Sequence, residues 1–352
     1  MRYALMSKVL FSPPTDILGS IPKLIEASGF LERLSYRKKL GIKLHFGEDG
    51  NQGYLKPAYV RAAVDTVARR INECALLETC TLYRGSRATA QNHIALAHKH
   101  GFTIQEVLAP VEIIDGAQGS EYYEVPIDLP LVKRARLGRK LRRIHYLLNL
   151  AHFKGHFVTG FGGVIKNLAM GLAAKGGKLE MHSLYKPEVD EDKCTSCGAC
   201  VDYCPNQAID FIKEVARIGR SCTGCGGCIM TCKQGAISVK WDEAAESVSR
   251  RVVEYAFAVL RDPLQAAPRT CLHLNFVIHI TPNCDCMGTD EKPIMPDVGI
   301  FASFDPVACE QAAYDRTRSA LKKLYPHLNP QQMIDYAEAL GLGTRKYELE
   351  NI

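Results

Sequence analysis

The chain has 352 residues, 47% of them hydrophobic and 23% charged, with a net charge of +6. That length suits two domains, or one large α/β domain with an insert, and the composition excludes extended disorder. The mild positive charge permits an acidic partner without calling for nucleic acid, and no run of 18 apolar residues is present to span a membrane.

The opening MRYALMSKVLFSPP has no signal-peptide pattern: its apolar stretch is short and mixed, and no A-x-A site follows. A cytoplasmic location is expected. In a reducing compartment, fourteen cysteines point to metal or catalysis rather than disulfides.

LGIKLHFGE (40–48) predicts a first apolar strand ending in a polar loop. KPAYVRAAVDTVARRI then has apolar residues at helical spacing, with Pro57 early in the helix. ALLETCTLY predicts a second strand, SRATAQNHIALAHKHGF a second helix capped by Gly101, and VEIIDG a third strand. KRARLGRKLRR (133–143) holds seven cations in eleven residues. It reads as a solvated helix face, or as a dock for an acidic redox partner or an anionic ligand; no aromatic interleaving supports RNA binding. HYLLNLAHF predicts a fourth strand, and GGVIKNLAMGLAAKGGK a helix entered through glycines.

Next come two copies of one motif. Cys194, Cys197, Cys200 and Cys204 precede Pro205, and Cys222, Cys225, Cys228 and Cys232 precede Lys233. Both runs are C-x2-C-x2-C-x3-C, the bacterial two-cluster ferredoxin spacing. Three thiolates at intervals of three, on a glycine-rich loop, can surround one corner of an iron–sulfur cube, while the fourth crosses to the other cube. The expected ligand sets are Cys194, Cys197, Cys200 and Cys232 for one [4Fe–4S] cluster, and Cys222, Cys225, Cys228 and Cys204 for the other. Structural zinc fits poorly, because zinc sites pair C-x2-C units. AIDFI and AISVKW predict short strands that shield the clusters.

Strand–helix alternation resumes with the helix EAAESVSRRVVEYAFAVLR, the strands CLHLNFVIHI and DVGIFAS, and a helix from Asp305 as N-cap. The fold class expected is therefore α/β: a discontinuous, mostly parallel-sheet domain (1–184 and 241–352) with an inserted α+β ferredoxin-like two-cluster module (185–240).

Ligands in parallel sheets bind beyond the carboxyl ends of the strands. Residues predicted there are His45, Glu48, Asp49, Glu78, Thr79, His152, Lys154, His156, Lys166, Asn167 and Asn283 to Cys286. Of these, His45, His152, Lys154, His156, Lys166 and Asn167 are the candidate catalytic residues. GFGGVIKN, with Lys154 and Lys166, reads as a pocket for an anion or carboxylate; it is neither a dinucleotide loop nor a Walker loop. In extended chain, Cys284 and Cys286 point to one side. They are candidates for a third metal ion completed by a histidine, for a redox dithiol or other active-site role, or for ordinary packing. Cys74, Cys80, Cys271 and Cys309 read as small core hydrophobes.

KLHFGEDGNQGYLKP, ETCTLYRGSRATAQNHIALAHKHGF, HFKGHFVTGFGGVIKNLAMGLAAKGGK and NFVIHITPNCDCMG with PIMPDVGIFASFDPVACEQAAYD together resemble the uncharacterised family called domain of unknown function 362. The resemblance runs from about residue 35 to 320. It implies the α/β fold and, as in many members, an inserted two-cluster module, but no substrate. The chain departs from the family mainly at KRARLGRKLRR, where a less charged helix is more common.

The function expected is electron transfer through two [4Fe–4S] clusters, coupled to reduction or oxidation of a small, anionic substrate in the α/β domain. A redox partner protein would exchange electrons with it, and no nucleic acid is expected. The alternatives are a carrier or partner-docking module without its own substrate, and a non-redox enzyme with structural or sensory clusters.

Overall fold

The computed structural model describes residues 6–83, 85–182, 187–204, 207–222, 224, 227–238, 245–265 and 269–352. Along the chain, β1 (Ser7–Ser12) and α1 (Ile17–Ala27) precede β2 (Lys39–Lys43) and α2 (Pro57–Val67). Pro57 sits in the first turn of α2, where its missing N–H costs nothing. β3 (Glu73–Glu78) leads to α3 (Ala90–Lys99), a short α4 (Ile104–Val107) and β4 (Val111–Ile113). α3 starts at the Thr89 cap, and Gly101 (φ +89°) ends the turn after it.

A hairpin of β5 (Tyr122–Pro126) and β6 (Arg134–Gly138) follows, then β7 (Tyr146–His152) and a second small hairpin, β8 (Lys154–His156) and β9 (Gly160–Gly162). α5 (Val164–Leu172) and α6 (Lys175–His182) come next. The repeat region supplies β10 (Glu188–Val189), α7 (Ala199–Tyr203), β11 (Ile209–Ile212), β12 (Val215–Ile218), α8 (Gly227–Thr231) and β13 (Ile237–Ser238). α9 (Ala245–Leu260), β14 (Thr270–Val277), β15 (Gly299–Ser303), α10 (Pro306–Leu324), α11 (Gln331–Ala339) and β16 (Tyr347–Asn351) complete the chain. Asp305 caps α10, its carboxylate accepting from the N–H groups of Val307 (2.8 Å) and Ala308 (3.0 Å).

The fold is mixed α/β around one large, mostly parallel sheet of eight strands, ordered β16-β1-β15-β14-β7-β2-β3-β4. Only β15 runs against its neighbours in that sheet. Alternate side chains face opposite layers. Leu40, Ile42, Leu76, Leu148, Leu150, Leu272, Leu274 and Phe276 pack with α1 and α2. Ala75, Leu77, Leu147, Ala151 and Phe301 pack with α5, α9 and α10. Each fully buried leucine contributes about 2 kcal/mol, which holds the strand ends in fixed register.

Two predicted helices differ. KRARLGRKLRR is not a helix: Arg134–Gly138 is strand and Arg139–Arg143 a 3-10 turn. Its small and apolar residues alternate, with Ala135 and Leu137 buried and Arg134 exposed, and that is strand periodicity. The helix predicted after the fourth strand is broken between α5 and α6, because Ala173 turns extended and forms a bridge to Leu137.

The repeat region has its own small core of Cys200, Ile209, Ala216, Cys228, Cys232, Ala236 and Ile237. β10 pairs with β13 and β11 with β12, both antiparallel. It meets the α/β domain where Ile229 packs against Leu82 and Leu179. The boundaries predicted at 184/185 and 240/241, and the residues Pro205 and Cys225, lie outside the described residues. Among the described residues, no helix is long and apolar enough to cross a membrane.

Candidate functional site

β2, β3, β7 and β14 are parallel and contiguous, so their carboxyl ends open on one edge of the sheet. Lys43 and Glu78 end β2 and β3 and form an ion pair whose side chains are 0% and 4% exposed. Burial outweighs the pull of Glu78 and lowers the Lys43 ammonium to about 8. Lys43 Nζ also donates to Asn167 Oδ1 (3.0 Å), and Asn167 Nδ2 donates to Asn149 Oδ1 (2.7 Å). α5 lies so close over this pair that a side chain at Gly171 would strike Lys43.

A second group surrounds Arg87. Its Nε donates to Glu48 Oε2 (3.0 Å), one Nη lies 2.9 Å from His45 Nε2, and the other donates to the Tyr83 hydroxyl (2.5 Å). The Tyr83 hydroxyl reaches the Cys286 carbonyl at 3.4 Å. Burial and then the Arg87 charge hold His45 well below the usual imidazole range, so it is neutral at pH 7. Lys178 Nζ donates to Thr79 Oγ1 (2.5 Å) and the Cys80 carbonyl (2.6 Å).

A third group is built on Asp285, which is fully buried. Its carboxylate oxygens both stand 3.0 Å from His152 Nδ1, and Oδ2 is 2.8 Å from Lys154 Nζ. Burial opposes this charge, yet His152 and Lys154 hold the carboxyl well below its usual range. His152 Nε2 faces the Ile278 carbonyl at 2.9 Å. Both ring nitrogens therefore face acceptors within the protein. Beside this group, Lys166 Nζ lies 4.0 Å from Cys284 Sγ.

Cys284 and Cys286 do not lie in extended chain. The Met287 N–H donates to the Cys284 carbonyl (2.8 Å), closing a turn with Cys284 as its first residue and Cys286 as its third. The neighbouring Cys286 first, and Lys166 and Lys154 after it, hold the Cys284 thiol well below the ordinary range, while Cys286 is pushed up.

Other predicted residues have local tasks. His156 Nδ1 accepts from the Val158 and Thr159 N–H groups (3.2 and 3.1 Å) in the β8–β9 turn. Asp49 is paired with Lys99 (2.7 Å), and Asn283 is bonded to Glu291 (2.7 Å). The predicted glycine anion pocket is occupied by the protein itself: Gly160–Gly162 form β9, and Glu310 Oε2 accepts from the Val164 N–H (2.8 Å) at the start of α5. Sequence reasoning passed over Lys43, Tyr83, Arg87, Lys178 and Glu310. A lysine inside the apolar run LGIKLHF was a signal for the first; the others depend on long-range packing.

Glu310 gives a test of this geometry. Burial pushes its carboxyl up to about 8 from 4.5. A raised acid is protonated in the folded protein where the unfolded chain is ionised, so its stabilisation is complete below about 4.5 and is lost as pH rises through about 8. Asp115, pushed up to about 6 by burial, acts in the same sense over a lower window. Between about pH 5 and 8 the thermal midpoint of the wild type should lose ground to that of Glu310→Gln as pH rises, the difference in slope being up to about 1.4 kcal/mol per pH unit. An unchanged slope would contradict a buried neutral acid.

In the repeat region, Cys194, Cys197, Cys200 and Cys232 line one cavity with Gly198 and Phe211. Cys204 Sγ accepts from the Ala208 N–H and Cys232 Sγ from the Ala236 N–H, both at 3.3 Å, and Cys222 Sγ from the Gly224 N–H at 3.4 Å. Among the described residues, no three or more His, Cys, Asp or Glu side chains form a shell for a single metal ion.

Residues 40–315 match the profile of the family described as Domain of unknown function (DUF362). No curated protein matches the sequence. Two solved structures are similar in outline. One is a structural-genomics target from Thermotoga maritima, with TM-score 0.43 and 13% identity over 87% of this chain and 58% of that one. The other is the lactate racemase apoprotein from Thermoanaerobacterium thermosaccharolyticum, with TM-score 0.33 and 14% identity over 64% of this chain and 48% of that one. The chain thus spans about half the length of each.

Proposed function

Because the chain belongs to the DUF362 family, whose description names no chemistry, we propose its function from its own side chains: an iron–sulfur oxidoreductase. Electrons enter through two [4Fe–4S] clusters in the repeat region and are used on a small organic anion at the carboxyl edge of the sheet. The observation that carries this reading is the cavity shared by Cys194, Cys197, Cys200 and Cys232, since it draws three thiols from one run and the last from the other. That is the ligand exchange expected of a two-cluster ferredoxin.

The N–H donors at Cys204, Cys222 and Cys232 suit sulfurs that carry negative charge when ligating iron. Bound clusters supply single-electron transfer. Cys197 is exposed beside this cavity, as are Phe211 and Ile212, and they form the face for a redox partner protein. The other ligand set is Cys222, Cys225, Cys228 and Cys204. Its Cys228 adjoins Ile229, which packs on Leu82 and Leu179 of the α/β domain, so that set is the inner one.

At the sheet edge, Lys43, Arg87, Lys154, Lys166 and Lys178 stand with the carboxylates of Glu48, Glu78 and Asp285. With the buried Asp115 beside Lys178, these five cations face four carboxylates, and the surplus favours an anionic ligand. Lys166 is part-exposed, without a carboxylate partner among these groups, and is the residue placed to hold it. Lys43, Arg87 and Asp285 are tied to protein partners and keep the walls in place.

Calorimetry on anaerobic protein, with pyruvate and oxalate as first probes, should show binding that weakens about tenfold in Lys166→Gln, a loss of about 1.4 kcal/mol. Reoxidation of the prereduced protein by a bound probe should slow in the same variant. A pure carrier would bind neither probe and would pass electrons to a partner protein equally fast with and without Lys166; that pair of results overturns the reading.

A further inference from the structure

Resting on that reading, we propose that Cys284 and Cys286 interconvert between a disulfide and a dithiol, collecting two single electrons and releasing them as a pair. Organic reductions at carbon usually move electrons in twos, whereas an iron–sulfur donor supplies them singly. A dithiol between the two kinds of step reconciles them.

The geometry supports the pair in four ways. The turn closed by the Met287 N–H holds Cys284 and Cys286 as its first and third residues, near enough for the two thiols to act on each other. The residue between them is immobilised: Asp285 is held by His152 and Lys154, and its carbonyl accepts from the Glu48 N–H at 2.9 Å. Cys284 is buried and Cys286 half-buried, so the pair is largely shielded from solvent. Finally, the pair is connected to the repeat region. The Tyr83 hydroxyl touches the Cys286 carbonyl at 3.4 Å, Leu82 precedes it in the chain, and Leu82 packs with Ile229, next to Cys228.

The step balances as follows. In the oxidised form the bond joins Cys284 Sγ to Cys286 Sγ. Two electrons, delivered one at a time from a one-electron donor protein of the iron–sulfur or flavin class, break that bond. Two protons from solvent complete the two thiols; where Cys284 remains a thiolate beside Lys166, a single proton goes to Cys286. Transfer of the pair to substrate reverses the change and restores the disulfide.

The test uses the holoprotein, equilibrated anaerobically in thiol buffers from oxidising to reducing, quenched in acid, alkylated and mapped by mass spectrometry. The peptide containing residues 284–286 should carry two alkyl groups at the reducing end and none at the oxidising end, with one two-electron midpoint. Cys284→Ser and Cys286→Ser should each leave one sulfur alkylated at every potential. Full alkylation of both wild-type thiols across the whole range overturns the proposal. So does retention of a non-iron metal ion in wild type that either variant loses. Iron, sulfide and EPR measured on the same samples separate the two readings: clusters without a disulfide sink only this inference, and a disulfide in iron-free protein sinks only the function proposed above.

Discussion

Cys232→Ser should empty the cluster held by the first cysteine run and leave the second in place, halving the bound iron. The residue lies 28 positions after Cys204 in the chain, and yet it shares a cavity with Cys194, Cys197 and Cys200. Its Sγ accepts from the Ala236 N–H, which holds it in place from the neighbouring turn. Serine offers a harder, far less acidic ligand, and a cubane that loses one of four thiolates is prone to lose iron. Cys204→Ser should do the reverse, sparing Cys194, Cys197 and Cys200 and exposing Cys222, Cys225 and Cys228 to alkylation. The readout is iron per chain together with the map of protected cysteines. If each run kept its own fourth cysteine, Cys232→Ser would instead deprotect the second run.

Lys43→Met should produce the largest loss of stability of any single change at the sheet edge, about 3–5 kcal/mol. Lys43 and Glu78 are both excluded from water, and α5 closes over them at Gly171. Removing the lysine strands a buried carboxylate, and Asn167 Oδ1 loses its donor. Hydrogen exchange of β2 and β3 amides reads this without requiring reversible unfolding, and exchange should quicken by a hundredfold or more. The stranded Glu78 then favours its neutral form, so the variant should regain stability as pH falls. Adding Glu78→Met should restore most of the loss, because an apolar pair of similar volume carries no desolvation cost. Equal protection in wild type and Lys43→Met would refute the buried pair.

Much of the fold was legible because the central strands announce themselves. LGIKLHF, ALLETC, HYLLNLAHF and CLHLNFV are apolar on both faces, as strands covered by helices must be. The direction of β15 was legible in principle: no helix pattern separates it from β14, and a parallel return needs a crossover. β1 and β16 escaped notice, since short strands near the chain ends carry little periodicity; β16, YELEN, is largely exposed. The basic run misled through its charge, although its buried Ala135 and Leu137 keep a strand's alternation.

At the site, strand-end logic named His45, Glu48, Glu78, His152, Lys154, Lys166 and Asn167, which lie in the groups of side chains along one sheet edge. It could not separate substrate-facing groups from structural ones. His156 serves a turn, and Glu310 closes the helix start that the glycines seemed to leave open for a ligand. The one-sided placement of the CDC thiols holds only in extended chain, but the asparagine before them and the glycine after them are turn residues, and a turn is what forms.

Two cubane clusters bound through exchanged thiolates underlie every electron-transfer step proposed for this chain. Iron and acid-labile sulfide per chain, measured on anaerobically purified protein alongside EPR of its reduced form, test this most directly. About eight of each, with the broadened signal of two interacting reduced clusters, is the result predicted. Protein that is colourless, or that carries zinc in place of iron, would contradict it.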